Sequence, residues 1–103
     1  MIKVSVLYPN GAGRKFDIDY YCRVHMPMVE RLLGAPLQRI AVEHGLGGGA
    51  PGARPPFLAL GHLYFESVGA FQNAFAPHAE KIMADIPNYT DSSPVIQISE
   101  VKI

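Results

Sequence analysis

A chain of 103 residues with 49% hydrophobic side chains can fill one packed core but not two, so a single domain over residues 1–103 is expected. Nine Lys and Arg offset nine Asp and Glu, which removes the net field that would favour nucleic acid, an anionic membrane or a strongly charged ligand. Charged residues or His break every apolar run before the roughly 20 residues that a bilayer span needs. Cys22 has no second cysteine to pair with, and the opening MIKVSVLY lacks the apolar stretch of a signal peptide. A soluble, cytoplasmic protein with a small, near-neutral ligand is the resulting expectation.

Residues 2–8 alternate Ile2, Val4, Val6 and Tyr8 against Lys3, Ser5 and Leu7, the period of a strand with one buried face. PNGAG turns the chain. Asp17 can cap a helix, and Phe16 and Tyr21 have the spacing of a hydrophobic staple, which predicts a helix from about residue 18 into the low thirties. Gly34 and Pro36 stop it. Residues 37–46 set Ile40, Val42, His44 and Leu46 on one strand face, and residues 57–66 form a third strand that is apolar on nearly both faces. The intervening GGGAPGARPP is an exposed loop, without the Gly-Lys-Ser/Thr ending of a phosphate loop. Ser67 can cap a second helix carrying Val68, Phe71, Phe75, Ile82 and Met83, bent at Pro77 and ended before Pro87; residues 95–103 supply the last strand.

The order β-α-β-β-α-β fits an α+β, ferredoxin-like sandwich in which two helices cover one face of a four-stranded antiparallel sheet. Two-sided apolar patterning of residues 57–66 and 95–103 would leave the second face sticky, and pairing of two sheets in a homodimer would cover it.

In the stretch DIDYYCRVHMPMVERLL, helical phasing at roughly 100° per residue gathers Ile18, Tyr21, Cys22, His25, Met28, Val29, Leu32 and Leu33 into an arc of about 140°. His25 is at its centre. A neutral imidazole buried there without a partner would cost on the order of 1–3 kcal/mol, so it needs a partner or a pocket. Pro27 cannot donate to the Arg23 carbonyl and disfavours helical geometry at Met26, which predicts a bend beside the ring. The plain reading of a lone His on an apolar stripe is a core residue tied to a backbone carbonyl. Against it stands the second helix, where Phe71, Phe75, His78 and Ile82 share a face next to Pro77. Tyr8, Tyr21, His25, His62, Phe71, Phe75, His78 and Tyr89 could then converge between helices and sheet as an aromatic-lined ligand pocket. Ordinary core packing explains each Phe taken singly, and Tyr89 fits a surface loop equally well.

FDIDYYCRVHMPMV and AFAPHAEKIMADIPNYTD together resemble the EthD family, named for ethyl tert-butyl ether degradation, and the resemblance spans essentially the whole chain. It implies a dimeric α+β barrel in which the His of His-x-Pro, here His25, faces a cleft. Related members of the wider barrel superfamily act without metal or organic cofactor as decarboxylases, dehydratases, cyclases, isomerases and monooxygenases on aromatic, polyketide or lactone substrates, so the resemblance implies the fold more narrowly than the reaction. Two functions remain open on this reading. In one, His25 is a general acid/base acting on a small aromatic or cyclic carbonyl compound. In the other, the protein is a carrier for a small apolar molecule and His25 makes one hydrogen bond to it. No His-x(3)-His pair or Cys cluster supplies metal-ligand spacing.

Overall fold

In the computed structural model, which describes all 103 residues, Ile2, Val4, Val6 and Tyr8 share one face of strand β1 (Ile2–Pro9). This strand lies inside a four-stranded antiparallel sheet of order β2-β3-β1-β4, where β2 is Arg39–His44, β3 Phe57–Phe65 and β4 Val95–Glu100. The expected α+β, ferredoxin-like order is present. The register sets Val4 opposite Leu63 and Ile98, and Val6 opposite Gly61 and Ile96. These residues form the floor on which both helices rest, with Tyr8, Ala59, Leu63 and Phe65 among the buried core.

The same register changes the reading of the other face. There Lys3, Ser5 and Leu7 stand across from Tyr64, His62 and Leu60, and from Ser99, Gln97 and Val95. That surface is mixed, with Leu7, Leu60 and Val95 at one end and Lys3, Ser5, His62, Gln97 and Ser99 toward the other, so it is less apolar than the patterning of residues 57–66 and 95–103 predicts. Ile96 and Ile98 of β4 are exposed for a different reason: they point to the helix side at an edge the helices only partly cover. Leu46, expected on the β2 face, lies beyond that strand and is 94% exposed.

The first helix, residues 18–33, starts where expected. Asp17 accepts the Tyr20 amide at 3.1 Å, and the Phe16 and Tyr21 rings meet at 5.1 Å. Its end is fixed by Gly34 at φ 67°, a conformation that costs other residues a Cβ clash. Pro27 acts otherwise than expected. Met26 keeps helical angles (φ −65°, ψ −40°), and the disturbance falls one turn earlier as a π-helical turn, Tyr21–His25, closed by the Met26 amide on the Tyr21 carbonyl. A π turn holds an extra residue and so rotates the rest of the helix about its axis. Met26 is therefore buried while Cys22, assigned to the inner arc by ideal phasing, is exposed.

Ser67 caps the second helix through the Ala70 amide. That helix runs Val68–Phe75, tightens to a 3₁₀ turn at Ala76–His78 around Pro77, and continues as Ala79–Ala84. A 3₁₀ turn, Ile86–Asn88, then brings the chain back toward the first helix. No helix is long and apolar enough to cross a membrane.

Candidate functional site

The segment after the second helix is clamped to the start of the first. Asp17 donates its amide to the Tyr89 carbonyl at 2.7 Å, the Thr90 hydroxyl donates to the Lys15 carbonyl at 2.6 Å, and Phe16 and Thr90 form an isolated bridge. This docking brings Asp85 and Tyr89 against His25.

His25 is 4% exposed. Its Nδ1 lies 2.8 Å from Asp85 Oδ2, and since a carboxylate only accepts, Nδ1 carries the proton and Nε2 the lone pair. The other Asp85 oxygen accepts from the Tyr20 hydroxyl at 2.7 Å and from Asn88 Nδ2 at 2.9 Å. Although burial opposes ionisation, these donors and His25 hold the Asp85 carboxyl below its ordinary range. For His25 the balance reverses. Burial lowers its pKa and outweighs the opposing pull of Asp85, which leaves the imidazole neutral at pH 7.

Aromatic rings box in this imidazole. Tyr21 stacks on it at 5.4 Å and 13°, and the Tyr89 ring is 4.7 Å away, with its hydroxyl 3.4 Å from Nε2. Tyr89 also bonds Tyr8 hydroxyl to hydroxyl at 2.7 Å. Burial pushes the phenols of Tyr8, Tyr21 and Tyr89 well above their ordinary pKa. Gly61 makes room for this cluster, because a Cβ at that position would overlap the Tyr21 hydroxyl.

Beside the cluster is a cavity of about 60 Å³, space for more than one water-sized group, lined almost entirely by apolar side chains. Tyr8, Tyr21 and His25 supply its polar edge, and Val6, Leu63, Phe71, Phe75 and Ile82 supply walls. Two further lining residues, Met83 and Ile96, are 42% and 48% exposed and mark its rim.

Of the residues singled out from sequence, the cavity gathers Tyr8, Tyr21, His25, Phe71 and Phe75, while Tyr89 stands one layer behind. The other two lie elsewhere. His62 is on the opposite sheet face, where Nε2 donates to Glu43 at 3.1 Å and Nδ1 accepts from Ser5 at 3.0 Å. The β1–β3 register sends Leu63 to the helices and therefore its neighbour His62 away from them. His78 sits in the 3₁₀ turn, half-buried, and does not line the cavity.

Sequence reasoning missed Asp85, which in place of a backbone carbonyl holds His25. A signal was there: a carboxylate in the last turn of a helix opposes the helix dipole and asks for another partner. No three His, Cys, Asp or Glu side chains gather as a metal site.

The model of the EthD domain matches residues 10–93. An EthD-like protein from Ralstonia eutropha JMP134, known from its crystal structure, is 47% identical to this chain; the match covers 99% of this chain and 92% of that one at TM-score 0.95. An ethyl tert-butyl ether (EthD) family protein from Bacillus halodurans C-125 shares the fold at 18% identity and TM-score 0.73, over 98% of each chain. A protein from Arabidopsis thaliana does so at 11% identity and TM-score 0.71, over 100% of this chain and 97% of that one. No curated protein matches the chain.

Proposed function

The chain belongs to the EthD family, and from that premise we propose that it is an acid/base enzyme for a small, neutral aromatic or cyclic carbonyl compound, working without a cofactor, with His25 as the group that takes and returns the proton. The observation that carries this reading is the Asp85–His25 pair at 2.8 Å, in which the buried imidazole lines an apolar cavity and the half-buried carboxylate stands behind it. The carboxylate fixes the tautomer and stabilises the imidazolium that forms when Nε2 takes a proton. Burial keeps the ring neutral beforehand, the form a general base needs.

The chemistry of the cavity lining supports this substrate class. Its polar groups are two phenols and one imidazole, with no Arg or Lys to hold a carboxylate or phosphate, while its walls suit a flat apolar body. A carrier would need a hydrogen-bonding group at the ligand, but it would have no use for a carboxylate locked behind the imidazole by Tyr20 and Asn88.

Small cyclic ketones, lactones and phenols screened in D₂O for uptake of deuterium test the proposal, with wild type and His25→Asn compared at matched folded fraction across pH 5 to 9. General acid/base catalysis contributes about 10²- to 10⁴-fold, and the variant is expected to lose that much while still binding. Equal exchange by the two proteins would leave the carrier reading ahead.

A further inference from the structure

We propose that protons pass between His25 and the cavity through two tyrosine hydroxyls, Tyr8 being the catalytic residue at the cavity wall and Tyr89 the positioning link behind it. The inference rests on the acid/base reading of His25 and adds the route.

Hydrogen-bond satisfaction gives the route its direction. Asp85 takes the Nδ1 proton of His25, so Nε2 can only accept. Its polar neighbour is the Tyr89 hydroxyl at 3.4 Å. Tyr89 has one proton to give, and giving it to Nε2 obliges it to accept from Tyr8, 2.7 Å away. Each hydroxyl proton then points toward the imidazole. Tyr8 lines the cavity and Tyr89 does not, so the chain begins at the wall and ends on the Asp85–His25 pair. His25 also lines the cavity, but Tyr21 covers one face of its ring and both ring nitrogens already face protein partners, so Tyr8 is the group through which a ligand's proton reaches it. Tyr8, Tyr89 and His25 are 1%, 3% and 4% exposed, a setting that keeps bulk water from short-circuiting the chain. The 3.4 Å step is long for a resting hydrogen bond; such contacts tighten when a ligand is bound.

In the forward step the acidic bond of the substrate, O–H in a phenol or enol or C–H beside a carbonyl, breaks and leaves its electron pair on the substrate. An O–H bond forms on Tyr8 as the proton of Tyr8 moves to Tyr89 and that of Tyr89 moves to Nε2. The imidazolium pairs with Asp85, and both phenols end neutral. Running the chain backwards onto another substrate atom completes an isomerisation, with no oxidant or reductant needed.

The test uses the whole chain with 2-tetralone, a neutral cyclic ketone, as probe, and reads deuterium uptake at C1 in D₂O by NMR. Tyr89→Phe should slow uptake by at least about tenfold, within the range that proton transfer contributes. Its Kd for the probe should stay within about twofold, as expected of a residue outside the cavity wall. Incorporating 3-fluorotyrosine at position 89 restores a hydroxyl and should restore most of the rate. Wild-type uptake by Tyr89→Phe with none by His25→Asn would overturn the relay and leave the acid/base reading standing. Undiminished uptake by His25→Asn would sink both. A second measurement needs no turnover: the titration midpoint of His25, followed by ring NMR, should move on Tyr89→Phe and, in the same direction but less, on Tyr8→Phe. A midpoint that ignores Tyr8→Phe would overturn the relay whether or not the probe reacts.

Discussion

The two sheet faces each hold a nearly sealed histidine, and each ring has one carboxylate and one hydroxyl on its nitrogens: Asp85 and Tyr89 for His25, Glu43 and Ser5 for His62. The partner sets are alike in kind, and the surroundings are not. The Asp85 side chain is 14% exposed and held by two further donors, whereas that of Glu43 is 59% exposed on edge strand β2. His25 adjoins an apolar cavity among four tyrosines; His62 looks onto Lys3, Tyr64, Gln97 and Ser99. A His–carboxylate–hydroxyl arrangement is thus not by itself a site. What separates the two is the apolar cavity and a carboxylate held in place by two further donors.

The largest expected effect breaks the comparison at the imidazoles. His25→Asn should cost about 10²- to 10⁴-fold in proton exchange, while His62→Asn should change exchange by less than twofold at matched folded fraction. Comparable losses would mean that the faces are not chemically distinct. Next comes the carboxylate. Asp85→Asn frees His25 to adopt the other tautomer and removes the charge that supports imidazolium, a change that should cost on the order of 10²-fold. Glu43→Gln should leave exchange unaltered.

Both the fold and half of the site are legible in the sequence because their signals are local. Alternation in residues 2–8, the Asp17 cap with its Phe16–Tyr21 staple, and the Gly34 stop each depend on neighbours a few positions apart. His25 points inward for the same reason. Sequence patterning misplaces His62 in the pocket because a strand apolar on both faces gives no parity of its own. Pairing of Ser5 with His62 and Val4 with Leu63 decides it, and that pairing joins residues 57 and 59 positions apart in the chain. The Asp85 contact spans 60 positions, and local periodicity carries no trace of it. The π turn is hidden for another reason: ideal helical phase assigns Cys22 inward, and one extra residue in the turn gives the place to Met26.

A third prediction sharpens the packing side of the contrast. Gly61 faces the helices and lies under the Tyr21 hydroxyl, so Gly61→Ala must push Tyr21 off its stack with His25. Overpacking of this kind costs about 1–3 kcal/mol, readable in chemical denaturation. His25 exchange should fall with it, and full retention of both stability and exchange would show that the tyrosine layer tolerates displacement.

Stability against pH should also divide the molecule. The folded-state pKa of His25 lies below the ordinary 6.5, so above pH 6.5 neither state binds that proton and the stabilising difference is fully present. Below 6.5 the unfolded chain protonates first, and stability falls as pH drops toward the folded-state value. Asp85, also lowered from its ordinary 3.8, adds a second loss that begins as pH falls through the acidic range. Unfolding free energies should therefore decline from pH 6.5 downward, and His25→Asn should flatten the first part of the decline while keeping the second.

The smallest effects belong to the open face, and they test whether His62 is structural. Ser5 is 7% exposed and its hydroxyl satisfies Nδ1 of His62, so Ser5→Ala leaves a mostly covered acceptor unpaired at a cost of roughly 1 kcal/mol. Glu43 is mostly in water, where an ion pair is worth about 0–1 kcal/mol, and Glu43→Gln keeps an oxygen that can accept from Nε2. Ser5→Ala should therefore destabilise more than Glu43→Gln, and neither should alter deuterium exchange at the cavity. The order matters more than the sizes: if Glu43→Gln cost more than Ser5→Ala, the charge at Glu43 would matter to His62 as the charge at Asp85 matters to His25, and the contrast between the two faces would reduce to the cavity alone.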